Sequence, residues 1–428
     1  MKKEPFDCQI GAKSRTLDVA AIFLGFVSGF PLLLTSATLQ AWCVADGLKL
    51  TAIGALSLLG WPYMLKFLWA PMLEKQLVPW CRQSKVTWVM CLCLCIAIGL
   101  YVMSCLGPKH FQGLIITAAV VAWCAATLDA AIDGYRIELL PAEKYGLIAG
   151  GGMVMYRLAM MVTGGLLIVF ADHHGWQAAF NGAACCMVVL AMLCALLPKR
   201  GRHQHNGAQA GKVTLRQIWK TAMRLPLSKP QQVHLLLLVL LFKSSDAFIV
   251  NMGVAFLLRH CHLSLEHLGI LYKVSGVMAT LLGAVVAGWC LQRRMLKTIM
   301  THTLGLQCLA MCGFLCLAIV VNPQVIWVDL TVIFECFVSG MASTTVVTML
   351  MRCCACDQAT TRYAFLSAIP AGFRILVGPG IGSVAQHFGW TSFFALAVFF
   401  AILPWCMLYR RTSATALEVL QNPQHAGT

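Results

Sequence analysis

Residues 19–45 read VAAIFLGFVSGFPLLLTSATLQAWCVA, and no charged residue occurs between Asp18 and Asp46. A run of this length and polarity spans the hydrocarbon core of a bilayer, about 30 Å thick, as one helix. The rest of the chain repeats the pattern. Of 428 residues, 59% are hydrophobic and only 11% are charged, where a soluble protein carries about 25%. Alternating ten-residue segments, the mark of a membrane barrel, do not occur. The expectation is an all-α integral membrane protein. The polar, basic opening MKKEPFDCQIGAKSR and the length of the first apolar run argue for a first membrane helix over a cleaved leader.

Twelve apolar segments follow one another, at about 18–41, 51–72, 86–106, 111–132, 146–171, 176–197, 233–258, 267–290, 298–320, 324–350, 362–386 and 390–409. Six precede and six follow the basic stretch 198–232, which holds eight Lys/Arg and no acid. Basic residues collect on the cytoplasmic side of membrane helices. With the N-terminus inside, 24 of the 32 Lys/Arg fall inside, three (Lys49, Lys109, Arg259) outside and five within helices. Both termini and the central loop are therefore expected in the cytoplasm. The formal charge of +16 follows from this topology and needs no nucleic acid. Anionic lipid headgroups are the natural neighbours of the central loop.

The halves resemble each other. LKLTAIG (48–54) matches LSLEHLG (263–269), YRLAMMVTGG (156–165) matches FRILVGPGIG (373–382), and H-x-G-W recurs at His173–Trp176 and His387–Trp390, at offsets of 215, 217 and 214. A parallel six-plus-six repeat is the layout of the major facilitator fold, whose substrate site lies near the membrane midplane between the halves. The expected organisation is a bundle over 1–197, a linker over 198–232, a second bundle over 233–409 and a cytoplasmic tail over 410–428.

Ionisable residues within membrane helices are costly and mark function by default. Five bases (Lys66, Arg157, Lys243, Lys273, Arg374) and four acids (Asp129, Asp133, Asp246, Glu335) stand in the apolar segments. Lys66, inside GWPYMLKFLWAP (60–71), either snorkels to the inner surface or faces a cavity beside Tyr63, one turn away. Arg157 and Arg374 occupy equivalent repeat positions, after Tyr156 and Phe373. They either bind backbone carbonyls or present guanidinium forks suited to carboxylate. Lys243 and Asp246 are three apart and can pair along one helix. Asp133 and Arg136 are expected as an exposed pair at the cytoplasmic end. Asp129 and Glu335, the latter with Ser339 and Ser343 on its face, are the candidates for proton exchange, against the alternative of distant pairing. Thr38, Gln40 and Trp69 are added as polar and stacking partners for a substrate.

No G-x-x-x-x-G-K-[ST], serine-hydrolase elbow or H-E-x-x-H occurs, so neither a nucleotide-driven pump nor an enzyme is expected. The 21 cysteines lie mostly in apolar runs and act as small hydrophobes. RCCACD (352–357) lacks the paired spacing of a zinc site, so no metal or cofactor is expected.

The stretch 25–75, GFVSGFPLLLTSATLQAWCVADGLKLTAIGALSLLGWPYMLKFLWAPMLEK, resembles the N-terminal signature of the AmpG-type muropeptide permeases. So do LDAAIDGYRIELLPAEKYG (128–146), FKSSDAF (242–248), LGILYKVSGVMATLLGAVVAG (268–288), FECFVSGMAS and YAFLSAIPAGFRILVGPGIG (363–382). The resemblance implies a proton-driven importer in the bacterial inner membrane, and a monomer is the expected working unit. Its substrates would be N-acetylglucosaminyl-1,6-anhydro-N-acetylmuramyl peptides, taken up for peptidoglycan recycling and linked in some bacteria to β-lactamase induction. Two other readings stay open: a carrier of another bulky anion, such as a siderophore or coenzyme A derivative, and a non-transporting sensor of the same fold.

Overall fold

The computed structural model describes residues 6–47, 56–75, 85–197, 229–264, 267, 271–354 and 359–409. These residues are almost entirely helical and contain no strand. In chain order, α1 covers Leu17–Ala45, α2 56–75, α3 Lys85–Leu106, α4 Phe111–Leu139, α5 Tyr145–His174, α6 Trp176–Ala195, α7 Val233–Arg259, α8 271–293, α9 Leu296–Ile319 and α10 Val325–Cys353. The long run Ala359–Tyr409 turns at Gly389, where φ is 76°. It thus provides α11 (359–388) and α12 (390–409). Among the described residues, nine spans are long and apolar enough to cross a membrane: α1, α3 to α7, α9, α10 and Val384–Leu408.

The outer faces fit that role. Ile98, Ile116, Leu166 and Met278 are each more than 60% exposed, a distribution suited to lipid and unfavourable in water. The expected helices α4 and α10 are longer than the sequence suggested. They run past 132 to Leu139 and past 350 to Cys353. Charged residues near their ends, Asp133, Arg136 and Arg352, continue the helix instead of ending it.

Two compact units form. The first gathers Met1–Leu140, Val154–Ala222 and Cys356–Ala364, and the second Pro141–Met153, Met223–Ala355 and Phe365–Thr428. The first turns of α5 thus pack with the second unit, and the first turns of α11 with the first. Most of the expected linker, 198–228, and the tail, 410–428, lie outside the described residues.

In the first unit α3 packs on α4 and α6, and α1 on α4. Trp42 stacks on Trp176 with centroids 6.1 Å apart and lies 4.8 Å from Phe180. In the second unit α10 packs against α8 and α9, and Phe248, Phe256, Phe314, Phe393 and Phe394 form an aromatic core. Small residues permit the tightest contacts, because helices in lipid gain their association from close packing. At the α5–α8 contact of the second unit, a Cβ placed on Gly150 would stand 2.8 Å from the Ala284 carbonyl oxygen and 3.1 Å from Gly288 Cα.

Several helices are interrupted. The Thr35–Ser36 turn, a few residues after Pro31, breaks α1, and both hydroxyls return to the Leu32 carbonyl, at 3.2 and 2.8 Å. That satisfies a carbonyl the break sets free. α2 carries Pro62 and Pro71 and falls into short pieces: a 3₁₀ turn Leu56–Gly60, a helical turn Trp61–Leu65, a second 3₁₀ turn Lys66–Leu68 and the helix Ala70–Lys75. α7 breaks at Lys243, between Lys229–Phe242 and Ser244–Arg259. α8 opens with a π-helical turn, Leu271–Gly276, which contains Lys273. All three lysines of the apolar segments therefore sit where regular α geometry fails, as irregular turns at functional sites often do.

Gly150→Ile is expected to lower the thermal stability of the detergent-purified protein by about 1–3 kcal/mol, the usual range for overpacking. Gly182→Ala, where an added Cβ meets nothing within 4 Å, is the matched control and is expected to leave the melting temperature unchanged.

Candidate functional site

Two clusters of charge lie inside the helices, one in each unit. In the first, the 3₁₀ turn of α2 delivers Lys66 to α4. Lys66 is only 6% exposed. Its ammonium forms an ion pair with the Asp129 carboxylate through Oδ2 and lies 3.8 Å from Asp133 Oδ2. Asp129 and Asp133 share a face of α4, being four residues apart. The second Asp129 oxygen accepts a hydrogen bond from Ser28 of α1. Arg136 Nη1 lies 3.8 Å from Asp133, and Arg136 Nε donates to the Ala21 carbonyl at 3.0 Å. Two acids and two bases from α2 and α4 are thus tied to α1. Lys66 therefore does not snorkel to a surface.

Around this core stand groups suited to a polar ligand. Among the described residues the buried Tyr63 hydroxyl has no hydrogen-bond partner, and it lies in the electrostatic field of Tyr156 and Asp129. In the same unit, Arg157 Nε on α5 is also buried with no hydrogen-bond partner among the described residues. A buried polar group without a partner costs free energy, so such a group in a native fold needs a reason. Trp69 donates from Nε1 to Thr127 at 2.9 Å and packs on Trp123 with centroids 5.7 Å apart.

The second cluster forms at the break in α7. Lys243 Nζ pairs with Asp246 Oδ2 at 3.1 Å and donates to Ser343 Oγ at 2.8 Å. Asp246 stands in the first turn of Ser244–Arg259, where the positive end of the helix dipole favours a carboxylate. Gln307 of α9 donates to its Oδ1 at 3.1 Å and Ser339 of α10 to its Oδ2 at 2.9 Å. Glu335, 7% exposed, stands one turn before Ser339 and faces Asp246 and Lys243.

Several expectations change. Asp133 and Arg136 are not an exposed pair at a helix end: α4 continues past them and both are 7% exposed. Ser339 and Ser343 serve Asp246 and Lys243 and not Glu335. Thr38 is not brought to the charged cluster. It is fully buried, and its hydroxyl donates to the Thr163 carbonyl of α5 at 2.7 Å. Gln40 lies two residues further along the short helix Ala37–Ala45, half-buried. The side chains of Lys273 and Arg374 lie outside the described residues. Ser28, Thr127 and Gln307 were missed, although each is an isolated polar residue in an apolar run.

The profile of the Major Facilitator Superfamily matches residues 21–369. The chain is 31% identical over 383 residues to the anhydromuropeptide permease of Escherichia coli (strain K12), an alignment covering 89% of this chain and 77% of that protein. It is 23% identical over 381 residues to the putative transporter AmpG 2 of Rickettsia typhi (strain ATCC VR-144 / Wilmington), covering 88% and 91%. Among solved structures, the fold matches the transporter FucP in its outward conformation with a TM-score of 0.66 at 14% identity, covering 91% of this chain and 98% of that one. The proton:xylose symporter XylE superposes with a TM-score of 0.63 at 12% identity, covering 91% and 94%. The chain is a multi-pass membrane transporter of the Major Facilitator Superfamily. Within it, the chain belongs with the AmpG-type permeases.

If Lys66 neutralises a buried Asp129, Lys66→Ala leaves an uncompensated charge and is expected to cost about 3–5 kcal/mol. The paired change Lys66→Met with Asp129→Leu removes both charges and is expected to restore most of that loss. Thermal unfolding in detergent reads both.

Proposed function

We propose that this protein imports N-acetylglucosaminyl-1,6-anhydro-N-acetylmuramyl peptides across the bacterial inner membrane, driven by the proton gradient, with both termini in the cytoplasm. The similarity to the E. coli anhydromuropeptide permease along most of both chains supports the substrate class. The single structural observation that supports it best is the Lys66 cluster: a buried cation paired with Asp129, close to a Tyr63 hydroxyl that has no hydrogen-bond partner among the described residues.

The chemistry of the substrate suits these groups. A muropeptide carries carboxylates on its peptide and hydroxyls and amides on its sugars. The Arg157 guanidinium offers a fork to a carboxylate, and Tyr63 and Tyr156 offer hydroxyls and aromatic faces. An arriving carboxylate competes with Asp129 for Lys66. Substrate entry is then linked to the charge balance of α2 and α4, the coupling a secondary transporter requires. Lys273 and Arg374 are proposed as further cations for the anionic groups. The working unit is proposed to be the single chain, with protons as the co-transported ion and no cofactor.

The test is uptake of labelled N-acetylglucosaminyl-1,6-anhydro-N-acetylmuramyl-tripeptide by cells without a permease of their own, with and without this protein. Uptake that a protonophore abolishes is the expected result. Inserted protein with no uptake would shift the assignment to another bulky anion. Arg157→Lys keeps the charge but loses the fork, so it is expected to raise the concentration for half-maximal uptake about tenfold, a 1.4 kcal/mol loss of binding.

A further inference from the structure

The two clusters differ in charge balance. In the first unit, two carboxylates, Asp129 and Asp133, face two cations, Lys66 and Arg136. In the second, Asp246 and Glu335 face one described cation, Lys243. That cation is already committed. Lys243 pairs with Asp246 at 3.1 Å and donates to Ser343, while Gln307 and Ser339 complete the two Asp246 oxygens. Among the described residues, no ammonium or guanidinium comes within ion-pair distance of the Glu335 carboxylate, which is 93% buried by residue area.

Among the described residues the charged and titratable surroundings of Glu335 are few. α7 contributes Lys243 and Asp246, and the adjacent Cys336 thiol lies on its own helix. From α9 comes Gln307, a neutral amide. α8 packs on α10 and carries Lys273, whose side chain lies outside the described residues. A second negative charge beside Asp246, on a carboxylate buried among the helices, is expensive. One proton on Glu335 makes the trio of Lys243, Asp246 and Glu335 neutral.

We infer that Glu335 is the residue that takes up and releases the co-transported proton, and that the Lys66–Asp129 pair is the substrate-responsive anchor and not the proton carrier. This rests on the symport reading above. The step moves a proton and nothing else. Water on the outer side protonates the Glu335 carboxylate, which leaves Lys243 bound to Asp246 and Ser343. On the inner side Glu335 gives the proton to water. The new carboxylate then competes with Asp246 for Lys243 and loosens the contacts that hold the break in α7 to α10. Protonation is thereby linked to the relation of two helices, through a lysine with two possible partners.

The test uses full-length protein in liposomes and the labelled tripeptide substrate. Two readings separate proton transfer from substrate handling: uphill accumulation under an inward proton gradient, and exchange of external label for internal unlabelled substrate at equal pH. Glu335→Gln mimics the protonated form. It is expected to lose uphill accumulation, to keep exchange, and to make exchange independent of pH. Glu335→Asp is expected to recover part of the accumulation with a displaced pH profile. Asp129→Asn is expected to weaken accumulation and exchange together.

Glu335→Gln that still accumulates substrate uphill overturns the assignment. So does Glu335→Gln that loses exchange as well, which would make Glu335 a structural ion-pair partner, with Lys273 the obvious cation. Selective loss of accumulation in Asp129→Asn would place the proton on the first unit instead. If the wild-type protein exchanges substrate but never accumulates it under a proton gradient, the symport reading itself fails, and the Glu335 assignment fails with it.

Discussion

A lysine ammonium buried among apolar helices is stable only beside a carboxylate, and the ion pair between Lys66 and Asp129 organises the first unit. It fixes α2 against α4 where α2 has no regular geometry of its own, because Pro62 and Pro71 leave it as short turns. Through Ser28 it also holds α1. Removing the pair from water is a net cost. The fold keeps it, and the Tyr63 hydroxyl nearby, without a hydrogen-bond partner among the described residues, extends the same polar region. Such expense is typical of sites that must recognise a polar ligand and then let it go.

The second unit solves the same problem differently. Its lysine, Lys243, occupies the break in α7 and is held by Asp246, Ser343 and, through Asp246, by Gln307 and Ser339. The polar groups come from α7, α9 and α10, so the network joins three helices. In both units a helix interruption presents the lysine, and a carboxylate at short sequence range or across one helix contact receives it. Proton-coupled transport, as proposed here, asks for one balanced cluster and one that changes charge, and Glu335 is the residue that makes the second able to do so.

Much of this was legible in the sequence. Uncharged runs located the helices, since nothing else explains the absence of charge between Asp18 and Asp46. The rarity of intramembrane charge singled out Lys66, Asp129, Lys243, Asp246 and Glu335. The pairing of Lys243 with Asp246 followed from their spacing, whereas Lys66 and Asp129 stand 63 positions apart and no spacing links them. The differences have separate causes. A charged residue near the end of an apolar run looks exposed, yet Asp133 and Arg136 are buried because α4 continues to Leu139 and α1 covers them. Thr38 looked like a ligand group, but a hydroxyl in an apolar helix also finds a neighbouring carbonyl, here that of Thr163. Hydroxyls and amides such as Ser28 and Gln307 carry no spacing signal, so only the fold reveals what they hold.

The most direct measurement is proton movement caused by substrate. Liposomes containing the purified protein and a trapped pH-sensitive dye, with no gradient imposed, would receive the labelled anhydromuropeptide on one side. The account predicts that the lumen acidifies as label enters, and that an unrelated disaccharide produces neither signal. Entry of label at a constant internal pH, with the membrane potential clamped, would contradict it.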